Sequence, residues 1–354
     1  MLTTTAAGRT WDYSHVIGCA SVSDRGFRIP LAVKCATDGT LFVLNRGGER
    51  PVDDGIQMDG QRIGMLTLDE VYLGEFATGE FVWPVDLALD TEGLVYVSDQ
   101  FRRTVSVYKR DGERMREWSG PESGPGLLDG PAGLVFDSED DLYVADGDAH
   151  RVHKFTKNGE YLDGWGEQGV GDGQFERPWG ICIDTIGDIY VVDWGNDRVQ
   201  KFSPDGKFLM SFGGSNVKRR NAPTWDDIDL SDEFPGSLNH PACVAVDSQG
   251  DVYVTDWGNK RVQIYEPNGQ FITSLFGETV EWSKWAQQDI EANSDIDKAM
   301  RRVSPERLAA SARFLRPTGI AIDPEDRIIV AESHHYRLQV YQKMADYVEP
   351  QFNL

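Results

Sequence analysis

VVDWGNDRVQKFSPDG, residues 191–206, reappears with few changes as VTDWGNKRVQIYEPNG at residues 254–269. A chain that writes one sentence twice either duplicates a hairpin or shows two members of a longer series, so internal repetition is tested before any strand is assigned. With a proline as anchor, six units align: Pro30, Pro84, Pro131, Pro178, Pro241 and Pro317. Three residues before each anchor stands Phe27, Phe81, Leu128, Phe175, Leu238 or Phe314. Six residues after it stands Asp90, Asp137, Asp184, Asp247 or Asp323, with Ala36 the exception. Fifteen residues after it comes Asn45, Asp99, Asp146, Asp193, Asp256 or Glu332. The opening pair are units four and five of six.

Each unit has one grammar. PWGICID is a first β-rich run, TIGD a turn, IYVVD a second run, WGND a loop, RVQKFS a third run, PDG a tight turn and KFLMSFG a fourth run. Four short strands per unit, punctuated by Gly, Asp and Asn, predict antiparallel blades around a central channel. The expected fold is all-β: one six-bladed β-propeller over residues 13–343, with residues 1–12 and 344–354 as tails. The stretch HVIGCASVSDRGFRIP resembles a fourth strand with its outgoing loop. An N-terminal strand that completes the last blade would close the ring and remove two sheet edges. The pattern P-x-G-I-x-x-D-x-x-G-x-(I/V)-Y-V-x-D-x-x-N-x-R-V is similar to the NHL repeat, a family whose propellers include scaffolds, RNA binders and enzymes. The resemblance implies the fold and leaves the activity to the site.

Bulk properties narrow the partners. The formal net charge of −23 over 354 residues disfavours nucleic acid, whose phosphates such a field repels. No run of about eighteen apolar residues predicts a membrane span, and the start lacks the charged-then-apolar order of a secretory signal. Cys19, Cys35, Cys182 and Cys243 sit far apart among apolar neighbours and read as reduced thiols. A cytoplasmic protein is expected.

An arginine follows the second acidic position by five residues in four units: Arg151, Arg198, Arg261 and Arg337. Because it recurs blade after blade, the pair reads as a structural clamp across one loop. The tryptophans of the two DWGN loops, Trp194 and Trp257, read likewise as packing.

Sites are built from what differs between repeats. Three insertions fall on one face of the expected disc: residues 47–61, 216–239 and 278–314, where a two-helix insertion is expected near residues 280–314, its second helix starting at Ser304-Pro305. They are expected to wall a mouth over the channel. Facing it are Arg177, His240 and Arg316 directly before anchor prolines, Trp179 directly after one, and Asp86 and Cys243 where other units favour glycine. His150, His334 and His335 lie in neighbouring loops, and Arg46 follows Asn45. This reads as a cationic, imidazole-bearing rim for a small anionic molecule, lined by Arg46, Asp86, Arg177, Trp179, Cys243, Arg316 and His335, or as a face for a protein partner. If the site is enzymatic, Arg46, His150 and His240 are the candidate catalytic groups, in lyase- or hydrolase-like chemistry. No cofactor is expected, with zinc or calcium as the alternative: a metal would draw on His150, His240 and His334, but no HxH or HExxH spacing is present.

LFVLNRGGER, residues 41–50, also resembles the first-blade segment of the peptidyl-hydroxyglycine amidating lyases, with Arg46-Gly47 in place. In those propellers zinc histidines directly follow the anchor prolines. Here those positions hold Leu31, Val85, Ala132, Trp179, Ala242 and Thr318. The resemblance implies a related site without the metal chemistry.

Overall fold

The computed structural model describes residues 3–52, 55–214, 235–279, 281–300 and 311–344. Six antiparallel sheets follow one another along the chain. Blade four, the source of the opening motif, runs Pro178–Ile183, Ile189–Asp193, Arg198–Phe202 and Phe208–Phe212. The first strand of every blade starts at its anchor proline, a residue that has no N–H to offer a ladder and so suits a strand start. Second strands such as Ile189–Asp193 and Val252–Asp256 are buried at every position because neighbouring blades cover both faces. Fourth strands such as Arg114–Trp118 are largely exposed and carry polar side chains. First strands of successive blades touch around the channel, including Pro317–Ile322 against Pro30–Cys35, and this contact closes the ring.

Closure follows the sequence reading and goes beyond it. Arg9–Ile17 pairs antiparallel with Arg337–Met344, from Thr10 opposite Met344 to Ile17 opposite Leu338. A further strand, Thr3–Ala6, pairs with Arg9–Ile17, so blade six has five strands. Residues 3–12 therefore belong to the sheet rather than to a tail. Trp11, which lies in that stretch, is fully buried and donates to the Tyr253 hydroxyl at 2.9 Å. Beside it Lys343 is buried between Asp247 and Asp251, at 2.5 and 2.7 Å, which ties blade six to blade five.

The two acidic positions have separate structural duties. The first caps the turn between strands one and two: Asp184 Oδ1 accepts from the Ile186 and Asp188 amides, and Asp247 Oδ1 from Gln249 and Asp251. The second position reaches back to the incoming loop. In every blade it accepts the amide two residues before the anchor proline: Arg28 to Asn45, Val82 to Asp99, Asp129 to Asp146, Glu176 to Asp193, Asn239 to Asp256, and Leu315 to Glu332, at 2.7–2.9 Å. The expected arginine clamp is present in blades four to six, as Arg198–Asp193 and Arg261–Asp256 at 2.8 Å and Arg337–Glu332 at 2.6 Å. Arg62 pairs instead with Glu75 at 2.7 Å. In blade three Arg151 makes no ion pair with Asp146 among the described residues.

Blade three departs from the pattern at a second place. Gln200, Gln263 and Gln339 each donate to the acid of their blade and accept an amide from the incoming loop. His153 holds the corresponding position. It is 2 % exposed, its Nε2 lies 3.7 Å from Asp146 Oδ2, and neither ring nitrogen has a hydrogen-bond partner.

The insertion after blade five forms helices Lys284–Ala292 and Ser294–Met300. Ser283 caps the first, accepting from the Ala286 amide. The helix lies over the seam where the ring closes, not over the mouth. Trp285, 4 % exposed, packs against Phe27 and Tyr72 and donates to the Glu70 carbonyl at 2.8 Å. Ser283 Oγ donates to the Gly18 carbonyl at 2.7 Å. Trp282 and Ile296, apolar residues of the same insertion, are exposed. The expected second-helix start at Ser304-Pro305, like most of the insertion after blade four, lies outside the described residues. The insertion in blade one adds a small hairpin, Gly48–Val52 with Gly55–Asp59.

Two stability outcomes are expected. Trp285→Ala leaves a cavity at the seam and should lower stability by about 3–5 kcal/mol, read as a shift in the urea midpoint. His153→Gln restores the hydrogen bonds of the later blades and should raise stability by about 1 kcal/mol. A melting temperature that falls instead would show that packing of the imidazole on Phe155 and Tyr161 outweighs its unmade hydrogen bonds.

Candidate functional site

The channel mouth holds a cavity of about 810 Å³. Its floor is a ring of first-strand residues, each two places after an anchor proline: Ala32, Asp86, Gly133, Gly180, Cys243 and Gly319. The glycines are dictated by the ring. A Cβ on Gly180 would meet the Ala242 carbonyl at 2.6 Å, and one on Gly319 the Leu31 carbonyl at 2.5 Å. Asp86 is the sole ionisable carboxylate in this floor. It is 6 % exposed, and it accepts from the Leu87 amide at 2.8 Å and the Leu134 amide at 3.0 Å. Burial pushes its carboxyl above the usual carboxylate range, against the opposing pull of Lys34, whose Nζ lies 3.8 Å away.

The walls are aromatic. Trp83, Phe101, Trp179, Trp194 and Trp257 line the cavity, and Phe101 projects at its lip with 70 % exposure. Trp179 directly follows its anchor proline, whereas Trp194 and Trp257 follow the second acidic position. The reading of Trp194 and Trp257 as packing residues is therefore half of their role: they pack around His240 and present their indoles to the cavity. Trp83 and Phe101 were not singled out by the sequence reading. Trp83 did carry a signal, because it directly precedes an anchor proline, a position where the blades differ. Phe101, one of many aromatic residues in loops, carried none.

The expected rim residues separate into three groups. Arg46, Asp86, Arg177, Trp179 and Cys243 are brought together in the cavity lining. His240 and Arg316 stand behind it. The His240 ring is 4.2 Å from that of Trp194, its Nδ1 lies 2.9 Å from Asn239 Oδ1, and the residue is 5 % exposed. The Arg316 guanidinium lies 4.9 Å from the Trp257 ring centroid and 3.0 Å from His334 Nε2. The remaining histidines serve loops. His150 Nδ1 accepts the Arg177 amide at 3.2 Å, and His335 Nδ1 lies 3.0 Å from Glu332 Oε2. Arg177, His240 and Arg316 all adopt left-handed backbone, with φ of 57°, 48° and 56°. That conformation is uncommon for such residues, and the incoming-loop hydrogen bonds described above hold it.

The electrostatics correct the cationic rim. Arg46, Arg103 and Arg177 in the lining are matched in number by Asp86, Asp129 and Asp148. Arg103 pairs with Asp129 at 2.7 Å and Arg177 with Asp148 at 2.9 Å. The Arg46 guanidinium sits 3.9 Å over the Trp83 ring, a cation–π contact that fixes a cation on the wall. Nor do the described parts of the insertions at 47–61 and 278–314 contribute to the lining; among the described residues it is drawn from the blades' own strands and loops. Among the described residues no three His, Cys, Asp or Glu side chains gather in a way that could hold a metal ion, and the imidazoles of His150, His240 and His334 each point to different partners. All four cysteines are free thiols, and three of them are partly exposed. No helix among the described residues is long and apolar enough to cross a membrane.

Comparison with known proteins places the fold. No curated protein sequence matches the chain significantly. Among solved structures, a Bacteroides thetaiotaomicron protein of unknown function aligns with a TM-score of 0.63 at 17 % identity, over 95 % of this chain and 76 % of that one. An auxiliary nutrient binding protein from the same species aligns at 0.61 and 11 %, over 97 % and 77 %. Virginiamycin B lyase from Staphylococcus aureus aligns at 0.52 and 12 %, over 94 % and 99 %. The NHL repeat family matches residues 128–155, 175–202, 238–265 and 314–341, which are the cores of blades three to six. Blades three to six thus carry NHL repeats, and the chain folds as a six-bladed β-propeller whose last blade is completed and extended by two N-terminal strands.

Proposed function

We propose that this propeller is a binding module whose channel mouth takes a small molecule with a flat, largely apolar body and an anionic edge group. The observation that carries the reading is the 810 Å³ cavity with four indoles and one phenyl ring in its wall. Ligand pockets of this size are commonly apolar with a few placed polar groups, and aromatic walls favour flat ligands by stacking and area burial. Arg46, held over Trp83, supplies the group for a ligand carboxylate at the wall. Asp86 supplies an acceptor at the floor. Two structural neighbours with small-molecule names, the nutrient binding protein and the lyase, agree with a ligand site in this fold without assigning one here.

A protein partner is the second reading. Phe101 at the lip and the exposed Leu127 in the loop between blades two and three favour it. An aromatic side chain of that partner would enter the same cavity.

The test is a thermal-shift and titration series with flat aromatic carboxylates, such as indole-3-acetate and phenylacetate, beside their neutral amides. A ligand that binds only the folded state raises the melting temperature. Trp179→Ala should weaken binding of both series about tenfold or more by removing a stacking wall. Arg46→Ala should weaken the carboxylates and spare the amides. A cavity silent to the whole series, or binding indifferent to Trp179→Ala, overturns the small-molecule reading.

A further inference from the structure

Below the floor of the mouth cavity, two residues further along the same six first strands, lies a second ring: Lys34, Ala88, Val135, Cys182, Ala245 and Ala321. This ring, with the side chains that follow it, encloses a separate pocket of about 280 Å³ at the opposite end of the channel. Five of the six ring positions are small or apolar. The next residues out, including Leu89, Phe136 and Ile322, are apolar too. Lys34 breaks this ring as Asp86 breaks the one above it.

The partners of Lys34 set it apart from the other lysines inside the sheets. Lys154 lies 3.0 Å from two carboxylates, Lys201 lies 2.8 and 3.4 Å from two, and Lys343 lies 2.5 and 2.7 Å from two. Lys34 Nζ has Asp86 Oδ2 at 3.8 Å, too far for a hydrogen bond, and no hydrogen-bond acceptor in reach among the described residues. The other titratable groups facing it are the thiols of Cys182 and Cys243, which burial keeps protonated. The Lys34 side chain is 24 % exposed, so the three donors of its ammonium are open to the channel, and no acceptor of the described residues takes them. The pocket therefore lacks one component, a hydrogen-bond acceptor, and has apolar walls for whatever bears it.

We propose that the pocket at the opposite end of the channel is a second binding site, for a short aliphatic carboxylate whose head accepts hydrogen bonds from Lys34 Nζ and whose chain lies along the apolar ring. Asp86 stands on the far side of Lys34, facing the mouth, and competes with the ligand for the same ammonium. The site is thus read from the two charged positions of the channel rings, and it does not depend on what the mouth binds.

The experiment is calorimetric titration of the full chain with butyrate and octanoate. Saturable binding of at least one acid is expected. Lys34→Met should weaken it about tenfold or more, since truncating one partner of a buried charge pair has effects of that size. Asp86→Asn, which removes the competing carboxylate, should tighten it. Absence of binding by either acid, or a Lys34→Met protein that binds as tightly as the wild type, overturns the proposal. If Lys34→Met does not fold, crystals of the wild-type chain with 4-bromobutyrate decide. A bromine peak in the pocket beside Lys34 supports the site, and a bromine found only in the mouth or nowhere overturns it. That position also distinguishes failure of this proposal from failure of the mouth reading.

Discussion

The architecture depends on one hydrogen bond made six times. The residue fifteen places after each anchor proline accepts the amide of the residue two places before it, so the end of strand two holds the loop that enters the blade. Five of the six acceptors are carboxylates, and charge-assisted bonds of this kind contribute about 1.5–3 kcal/mol each. The bond does more than stabilise. It fixes the backbone immediately before each proline, where Arg177, His240 and Arg316 sit in left-handed conformation. Without it the residues around the mouth would have no defined direction.

Once those loops are fixed, the ring imposes the rest of the channel. Six first strands converge so closely that Gly180 and Gly319 have no room for a Cβ. Most channel-facing positions must therefore be small, and the few that are not become conspicuous. Asp86 and Lys34 are the charged members of two successive layers, and their side chains meet between the two pockets at 3.8 Å. Chemistry in a propeller of this type accumulates where the packing rule is relaxed.

The closure seam is reinforced by three separate devices: the pairing of the N-terminal strand with the last one, the buried Trp11 of that strand, which donates to Tyr253 of blade five, and Trp285 from the insertion helix. A ring has one joint that chain connectivity does not hold, and hydrophobic burial together with buried hydrogen bonds supplies what connectivity lacks. That need explains why an insertion whose sequence position suggested a wall of the mouth is spent on the outside of blade one.

Repetition made the fold legible. Anchor prolines, turn-capping aspartates and strand-ending acids recur at fixed offsets because each answers a local requirement of turn or strand, and local requirements are written in neighbouring residues. The same logic separated Arg46, Asp86, Arg177, Trp179, Cys243, Arg316 and His335 as departures from the repeat; the first five share the cavity, and Arg316 and His335 stand outside its lining. What the sequence could not settle was pairing. Whether Arg177 meets a ligand or Asp148, whether His240 faces the mouth or a tryptophan, and whether a helix lies over the channel or over the seam all depend on residues far apart in the chain. Trp194 and Trp257 looked like packing because they repeat, yet a repeated residue at the inner end of a blade also repeats around the channel mouth. The order of strands was determined residue by residue along the chain, whereas the composition of the site was decided only when six blades were bent into one ring.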